Sequence, residues 1–129
     1  MPTEIRAKVV DASAIVAVVF REPGWEDVAP RLRGAALVAP TLLRYEVANV
    51  CLNKLRRHAG LWSEINRMFD VFWQMEIEFV DSLYPDILEL AHRTTLTAYD
   101  ASYLWLAQRL DAELITLDRR LAAAAQSLR

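Results

Sequence analysis

Four acidic residues of this chain stand at positions where carboxylates can do chemistry. Asp11 and Asp118 each close a short apolar run that is predicted to be a strand. Glu46 and Asp100 fall early in two predicted helices. The carboxyl ends of parallel strands, and the starts of the helices that follow them, lie at one edge of a sheet. We therefore expect all four carboxylates to converge at that edge.

Carboxylates that converge raise one another's pKa and are costly to bury. A divalent cation with oxygen ligands removes that cost. Mg²⁺ or Mn²⁺ is expected, because the two histidines and the single cysteine form no cluster suited to zinc. A simpler interpretation stands for each residue alone: Asp11 and Asp118 are good helix N-caps, and Glu46 and Asp100 favour the helix dipole. It does not explain why all four fall at the same edge.

The elements that position these residues alternate between strand and helix. Strands are predicted at residues 8–10, 36–39, 77–80 and 114–117, and helices at 12–20, 25–32, 41–58, from 63 onward, 85–93, 98–110 and 119–128. Ser63 and Thr97 are predicted N-caps, and Pro85 suits a first helical turn. The 129 residues fit one domain, spanning 1–129. Strands separated by helices predict an α/β fold, a three-layer α/β/α sandwich around a mostly parallel sheet.

Composition excludes several classes of protein. The three glycines are far apart, which excludes a Walker P-loop and a Rossmann fingerprint. The net charge of −2 argues against binding nucleic acid through bulk positive charge. One cysteine allows no internal disulfide. The apolar run at 9–20 is too short to span a membrane and no signal-peptide layout is present, so a cytoplasmic protein without membrane association is expected.

Four segments, in this order and spacing, resemble those of a known family. They are residues 9–14 (VVDASA), 40–50 (PTLLRYEVANV), 96–103 (LTAYDASY) and 114–121 (LITLDRRL). The sequence resembles the PIN-domain ribonucleases, most closely the VapC-type toxins of toxin–antitoxin pairs. The resemblance covers nearly the whole chain. It implies a metal-dependent endoribonuclease that hydrolyses RNA phosphodiester bonds as the toxin of a type II toxin–antitoxin system.

The resemblance also assigns roles to residues of the site. It implies that the acidic quartet binds Mg²⁺ or Mn²⁺ and is catalytic: Asp11, Glu46, Asp100 and Asp118. Ser13 and Thr116 match supporting hydroxyl positions. Asn49 follows Glu46 by one helical turn, so it is expected to orient Glu46 or the substrate.

Four further residues are candidates for binding RNA. Arg119 and Arg120 directly follow Asp118 and are the better phosphate candidates, and Arg44 on the predicted helix 41–58 is a further one. Tyr99 stands next to Asp100 and is expected to line the cleft.

The resemblance further implies a homodimer and a VapB-type antitoxin whose extended arm fills the groove near the acids. We expect the antitoxin to cover the helices at 15–20 and 25–32, because a helix that exposes Val18, Val19 and Phe20 needs a cover.

Other functions are weighed against this one. A haloacid-dehalogenase phosphatase needs a second Asp where this chain has Ser13, and a receiver domain needs an acidic pair at the first strand and a later Lys that are not present. Within the family, a nuclease of RNA processing or quality control and a catalytically silent PIN binding module remain alternatives. Mg²⁺-dependent cleavage of RNA distinguishes the silent module from the nucleases.

Overall fold

A computed structural model describes residues 5–128 of the chain. Its sheet has four strands in the order β3-β2-β1-β4, and every neighbouring pair is parallel. The strands are β1 (Ala7–Val10), β2 (Ala36–Pro40), β3 (Ile77–Val80) and β4 (Glu113–Ile115). The predicted parallel pairing is confirmed.

Seven helices connect and cover the strands. They are α1 (Ala12–Phe20), α2 (Trp25–Leu32), α3 (Leu42–Arg57), α4 (Trp62–Gln74), α5 (Tyr84–Thr94), α6 (Ala98–Leu110) and α7 (Arg119–Ser127). Helices α1 to α4 pack among themselves, and α6 packs against both α5 and α7. The chain passes from β1 through β2 to β3 by way of α1 to α4, and it returns from β3 to β4 by way of α5 and α6. The predicted three-layer α/β/α sandwich is confirmed.

Strand β1 is one of the two inner strands of the sheet, so its carboxyl-terminal half is buried on both faces and is apolar. Val9 and Val10 of β1 are fully buried. Ile15 of α1, Leu43 of α3 and Leu104 of α6 are buried in the same core. This packing brings the starts of three helices to the edge at which β1 ends.

Two predicted boundaries are wrong, and a long-range hydrogen bond explains one of them. The last strand ends at Ile115 rather than at Leu117. The amide of Leu117 donates to Oγ of Ser13, 2.8 Å away, instead of joining a strand ladder. Ser63 caps no helix, because α4 begins at Trp62 after a 3₁₀ turn. The predicted cap Thr97 is confirmed.

The expectation that α1 exposes an apolar face is also wrong. Val19 is 7% exposed, and Val18 and Phe20 are partly buried against the core. Helix α1 packs on α2, α3 and α4. Most of the apolar surface of α1 is therefore packed against other parts of this chain. Among residues 5–128, no helix is both long enough and apolar enough to cross a membrane.

Candidate active site

Asp11 is the most deeply buried acid of the predicted quartet. It follows β1 directly and is 5% exposed. Its Oδ1 accepts hydrogen bonds from Oγ of Ser13, at 2.7 Å, and from the amide of Ala14, at 3.0 Å. Its Oδ2 accepts one from the hydroxyl of Thr116. Asp11 is therefore the N-cap of α1 and also a fixed carboxylate at the edge of the sheet.

The two hydroxyls that hold Asp11 also position the segment after β4. Oγ of Ser13 accepts from the amide of Leu117, and Oγ1 of Thr116 accepts from the amide of Asp118 at 3.0 Å. Each hydroxyl thus donates to Asp11 and accepts from the chain that leads to Asp118. The structure places Ser13 and Thr116 where the sequence predicted supporting hydroxyls.

Asp118 and Asp100 both lie at the starts of helices. Asp118 is the N-cap of α7, and its Oδ1 accepts from the amide of Leu121 at 3.0 Å. Asp100 is in the first turn of α6, where its amide donates to the side chain of Thr97 at 3.1 Å. The simpler interpretation as a cap therefore holds for Asp118, as it does for Asp11. Capping and the shared edge are compatible, because the caps follow parallel strands.

Glu46 has a partner that the sequence analysis missed. The hydroxyl of Tyr103 donates to its Oε1 across 2.5 Å. Tyr103 is 1% exposed and lies in the middle of α6. Burial, followed by the hydrogen bond to Glu46, raises the pKa of Tyr103, so the phenol stays a donor. One signal was available: Tyr103 follows Asp100 by three residues and so shares its helical face.

The acids affect one another electrostatically, as expected of a shared site. Burial is the main cause that raises the pKa of Asp11, with a smaller contribution from Asp118. Burial likewise raises the pKa of Glu46, to which Asp100 and then Asp11 add. Burial and the charge of Asp118 raise the pKa of Asp100. The structure therefore brings all four acids to one edge, as predicted.

The donor set suits a hard divalent cation, although its side chains do not close around one point. In residues 5–128, no three His, Cys, Asp or Glu side chains are grouped so that they could hold a metal ion together. Both oxygens of Asp11 are engaged by hydrogen bonds. Oε2 of Glu46 and Oδ2 of Asp118 accept none from the described residues. Carboxylate oxygens are the ligands that Mg²⁺ and Mn²⁺ prefer, so the chemical type of these residues suits either ion.

The four predicted substrate-binding residues differ in whether their side chains lie near the acids or pack elsewhere. Arg120 acts on Asp100 electrostatically and lowers its pKa, which places a positive charge near the acids. Arg119 and Tyr99 are exposed at the starts of α7 and α6. Arg44, in contrast, stacks on Phe79 with its Cζ 4.0 Å from the ring centroid.

Arg44 and Asn49 make no hydrogen bond or ion pair with the acids of the quartet among the described residues, and their predicted roles toward RNA stay predictions. Two residues along a helix point roughly 200° apart, so Arg44 faces away from Glu46. Arg44 also lies over the ring of Trp73. Asn49 is exposed and makes no hydrogen bond to Glu46 among the described residues. The side-chain hydrogen-bond partner of Glu46 is Tyr103.

Comparison with known proteins finds the same kind of domain over almost the whole chain. A family model described as PIN domain matches residues 8–126. Ribonuclease VapC3 of Pyrobaculum aerophilum is 34% identical over 119 residues, which cover 88% of this chain and 91% of that protein. Ribonuclease VapC12 of Mycobacterium tuberculosis is 32% identical over 120 residues, 88% of each chain.

A solved structure is similar to the fold as a whole. The crystal structure of PAE2754 from Pyrobaculum aerophilum superposes with a TM-score of 0.75 at 26% sequence identity. The match covers 95% of this chain and 85% of that one.

Proposed function

Because the chain belongs to the PIN domain family, we propose that it is a metal-dependent endoribonuclease and the toxin of a type II toxin–antitoxin pair. One observation carries the proposal: a buried carboxylate, Asp11, is held by two hydroxyls at the edge where three other acids gather. The relatives named ribonuclease support the choice of reaction.

The cofactor in this proposal is Mg²⁺ or Mn²⁺, and the residues that would hold it are the acidic quartet Asp11, Glu46, Asp100 and Asp118. When bound, such an ion supplies activation of water for attack at phosphorus and compensation of charge on the phosphate oxygens. The products expected from this hydrolysis carry a 5′-phosphate and a 3′-hydroxyl.

The chain's own residues contribute position and charge. Ser13 and Thr116 hold Asp11 in one orientation, so little reorganisation is needed at the reacting centre. Arg119 and Arg120 follow Asp118 at the start of α7, where a phosphate of the RNA backbone would meet positive charge. Arg44 contributes less, because its guanidinium is engaged with Phe79.

The proposal extends to partners and location. The VapC names of the relatives support a VapB-type antitoxin as the inhibitor and RNA as the substrate. A homodimer and a cytoplasmic location belong to the same proposal. Since Val19 is buried within the chain, the antitoxin is not expected to contact it.

The test is cleavage of end-labelled single-stranded RNA by the purified chain with Mg²⁺, with Mn²⁺ and with EDTA. Cleavage is expected only with metal and is expected to be lost in Asp11→Asn. Asp70→Asn is the matched control, because it removes one carboxylate charge at an exposed position of α4. RNA that is bound but not cut would indicate a binding module and would contradict the enzyme assignment.

The toxin role needs a separate measurement in cells. Induced expression of the wild type in a bacterial host is expected to arrest growth. Expression of the Asp11→Asn variant is expected to leave growth unaffected. Co-expression of the neighbouring reading frame should restore growth if it encodes the antitoxin. Cleavage of RNA in vitro without any growth arrest would favour a role in RNA processing.

A further inference from the structure

The hydrogen bond between Tyr103 and Glu46 joins two helices from different layers of the fold. Tyr103 belongs to α6, which packs with α5 and α7, whereas Glu46 belongs to α3, which packs with α1 and α4. The two residues are 57 positions apart. The contact therefore forms only when these two groups of helices pack together. One of its two residues, Glu46, belongs to the proposed metal site.

A buried phenol usually needs a hydrogen-bond partner, so a core tyrosine with a satisfied hydroxyl is the simplest description. Two features go beyond it. The partner is an acid of the quartet rather than a backbone carbonyl, and the bond engages only Oε1. Oε2 of Glu46 accepts no hydrogen bond within residues 5–128.

We propose that Tyr103 is a positioning residue: its hydroxyl holds Oε1 of Glu46 and thereby presents Oε2 to a divalent cation. This inference rests on the proposed function. Glu46 has a long side chain on a partly exposed face of α3, and without a fixed partner it samples several rotamers. Hydrogen bonds that orient a metal-binding carboxylate are worth about 10–100-fold in metal affinity.

The experiment removes only the hydroxyl, in Tyr103→Phe, and measures Mn²⁺ binding to the full chain by calorimetry. The Kd for Mn²⁺ is expected to rise about tenfold. Cleavage is expected to fall at limiting Mn²⁺ and to recover at saturating Mn²⁺, with the KM for RNA unchanged. Tyr84→Phe is the matched control, because Tyr84 is 76% exposed on α5 and makes no side-chain hydrogen bond among the described residues.

A second comparison tests whether Tyr103 acts through Glu46. In a Glu46→Gln background, adding Tyr103→Phe is expected to weaken Mn²⁺ binding by less than twofold. An equal, roughly tenfold loss in both backgrounds would overturn the proposal.

Each of the other possible results also decides whether the proposal holds. If the wild type binds Mn²⁺ and Tyr103→Phe binds it equally well, the positioning role is wrong while the nuclease assignment stands. If the wild type binds no divalent cation, both are wrong. A Tyr103→Phe variant that does not fold would mean that the hydroxyl supports the core, and it would overturn the proposal as well.

Discussion

The hydroxyl of Thr116 donates a hydrogen bond to Oδ2 of Asp11, a residue 105 positions earlier in the chain. The same oxygen of Thr116 accepts the amide of Asp118. One side chain thus holds the first acid of the quartet and sets the backbone from which the last one extends. Because both bonds are partly buried, their loss leaves polar groups without partners.

Thr116→Val is therefore expected to lower both stability and activity. It leaves a carboxylate oxygen and an amide unsatisfied, which costs about 1–3 kcal/mol in the free energy of unfolding. Urea denaturation measures this loss, and RNA cleavage should fall at least tenfold. Thr116→Ser keeps the hydroxyl and should retain most of both. Equal behaviour of the Val and Ser variants would mean that the hydroxyl is not needed.

Asp118 caps α7 and also belongs to the proposed quartet, and substitution can separate these two roles. Asp118→Ala removes the cap of α7, which costs about 1 kcal/mol, and it also removes the acid. Asp118→Asn keeps a carbonyl oxygen that can accept the amide of Leu121. Both variants are expected to lose cleavage, and only the Ala variant is expected to unfold at lower urea concentration. Activity in Asp118→Asn would remove Asp118 from the proposed quartet.

Metal binding should be visible as stabilisation, because a ligand that binds only the folded chain raises its free energy of unfolding. In thermal unfolding with 100-fold excess over Kd, Mn²⁺ is expected to stabilise the wild type by about 2.7 kcal/mol. EDTA should reverse the rise in Tm. Asp100→Asn should show a much smaller shift, whereas an undiminished shift would place the ion elsewhere.

The raised pKa of Asp11 predicts how stability depends on pH without metal. The folded chain binds this proton more tightly than the unfolded chain does, so protonated Asp11 favours folding. The favourable contribution is complete below the unfolded pKa of about 4 and is lost as pH rises through the higher folded pKa. Asp11→Asn should therefore gain stability relative to the wild type as pH rises from 4.5 to 7.5 in EDTA. Urea denaturation at several pH values measures this, and a constant difference would contradict it.

The local sequence pattern was sufficient to predict the strands and helices and the edge of the sheet at which the acids meet. The apolar run that ends at Asp11, the cap at Thr97 and the helical spacing around Glu46 each depend on neighbouring residues. Backbone hydrogen bonds and apolar periodicity act over only a few positions, so these features are readable along the chain. The alternation of strand and helix then implied a parallel sheet with one functional edge.

Contacts between residues distant in the chain determined the features that the sequence did not predict. The early end of β4 depends on Ser13 and Leu117, and the hydrogen bond that Glu46 accepts comes from Tyr103. The engagement of Arg44 by Phe79 and the burial of α1 likewise arise from packing between elements. The sequence by itself determined which acids reach the edge of the sheet. Only the tertiary structure decided how each is held, because the partners that orient them are distant in the chain and meet only after the layers pack.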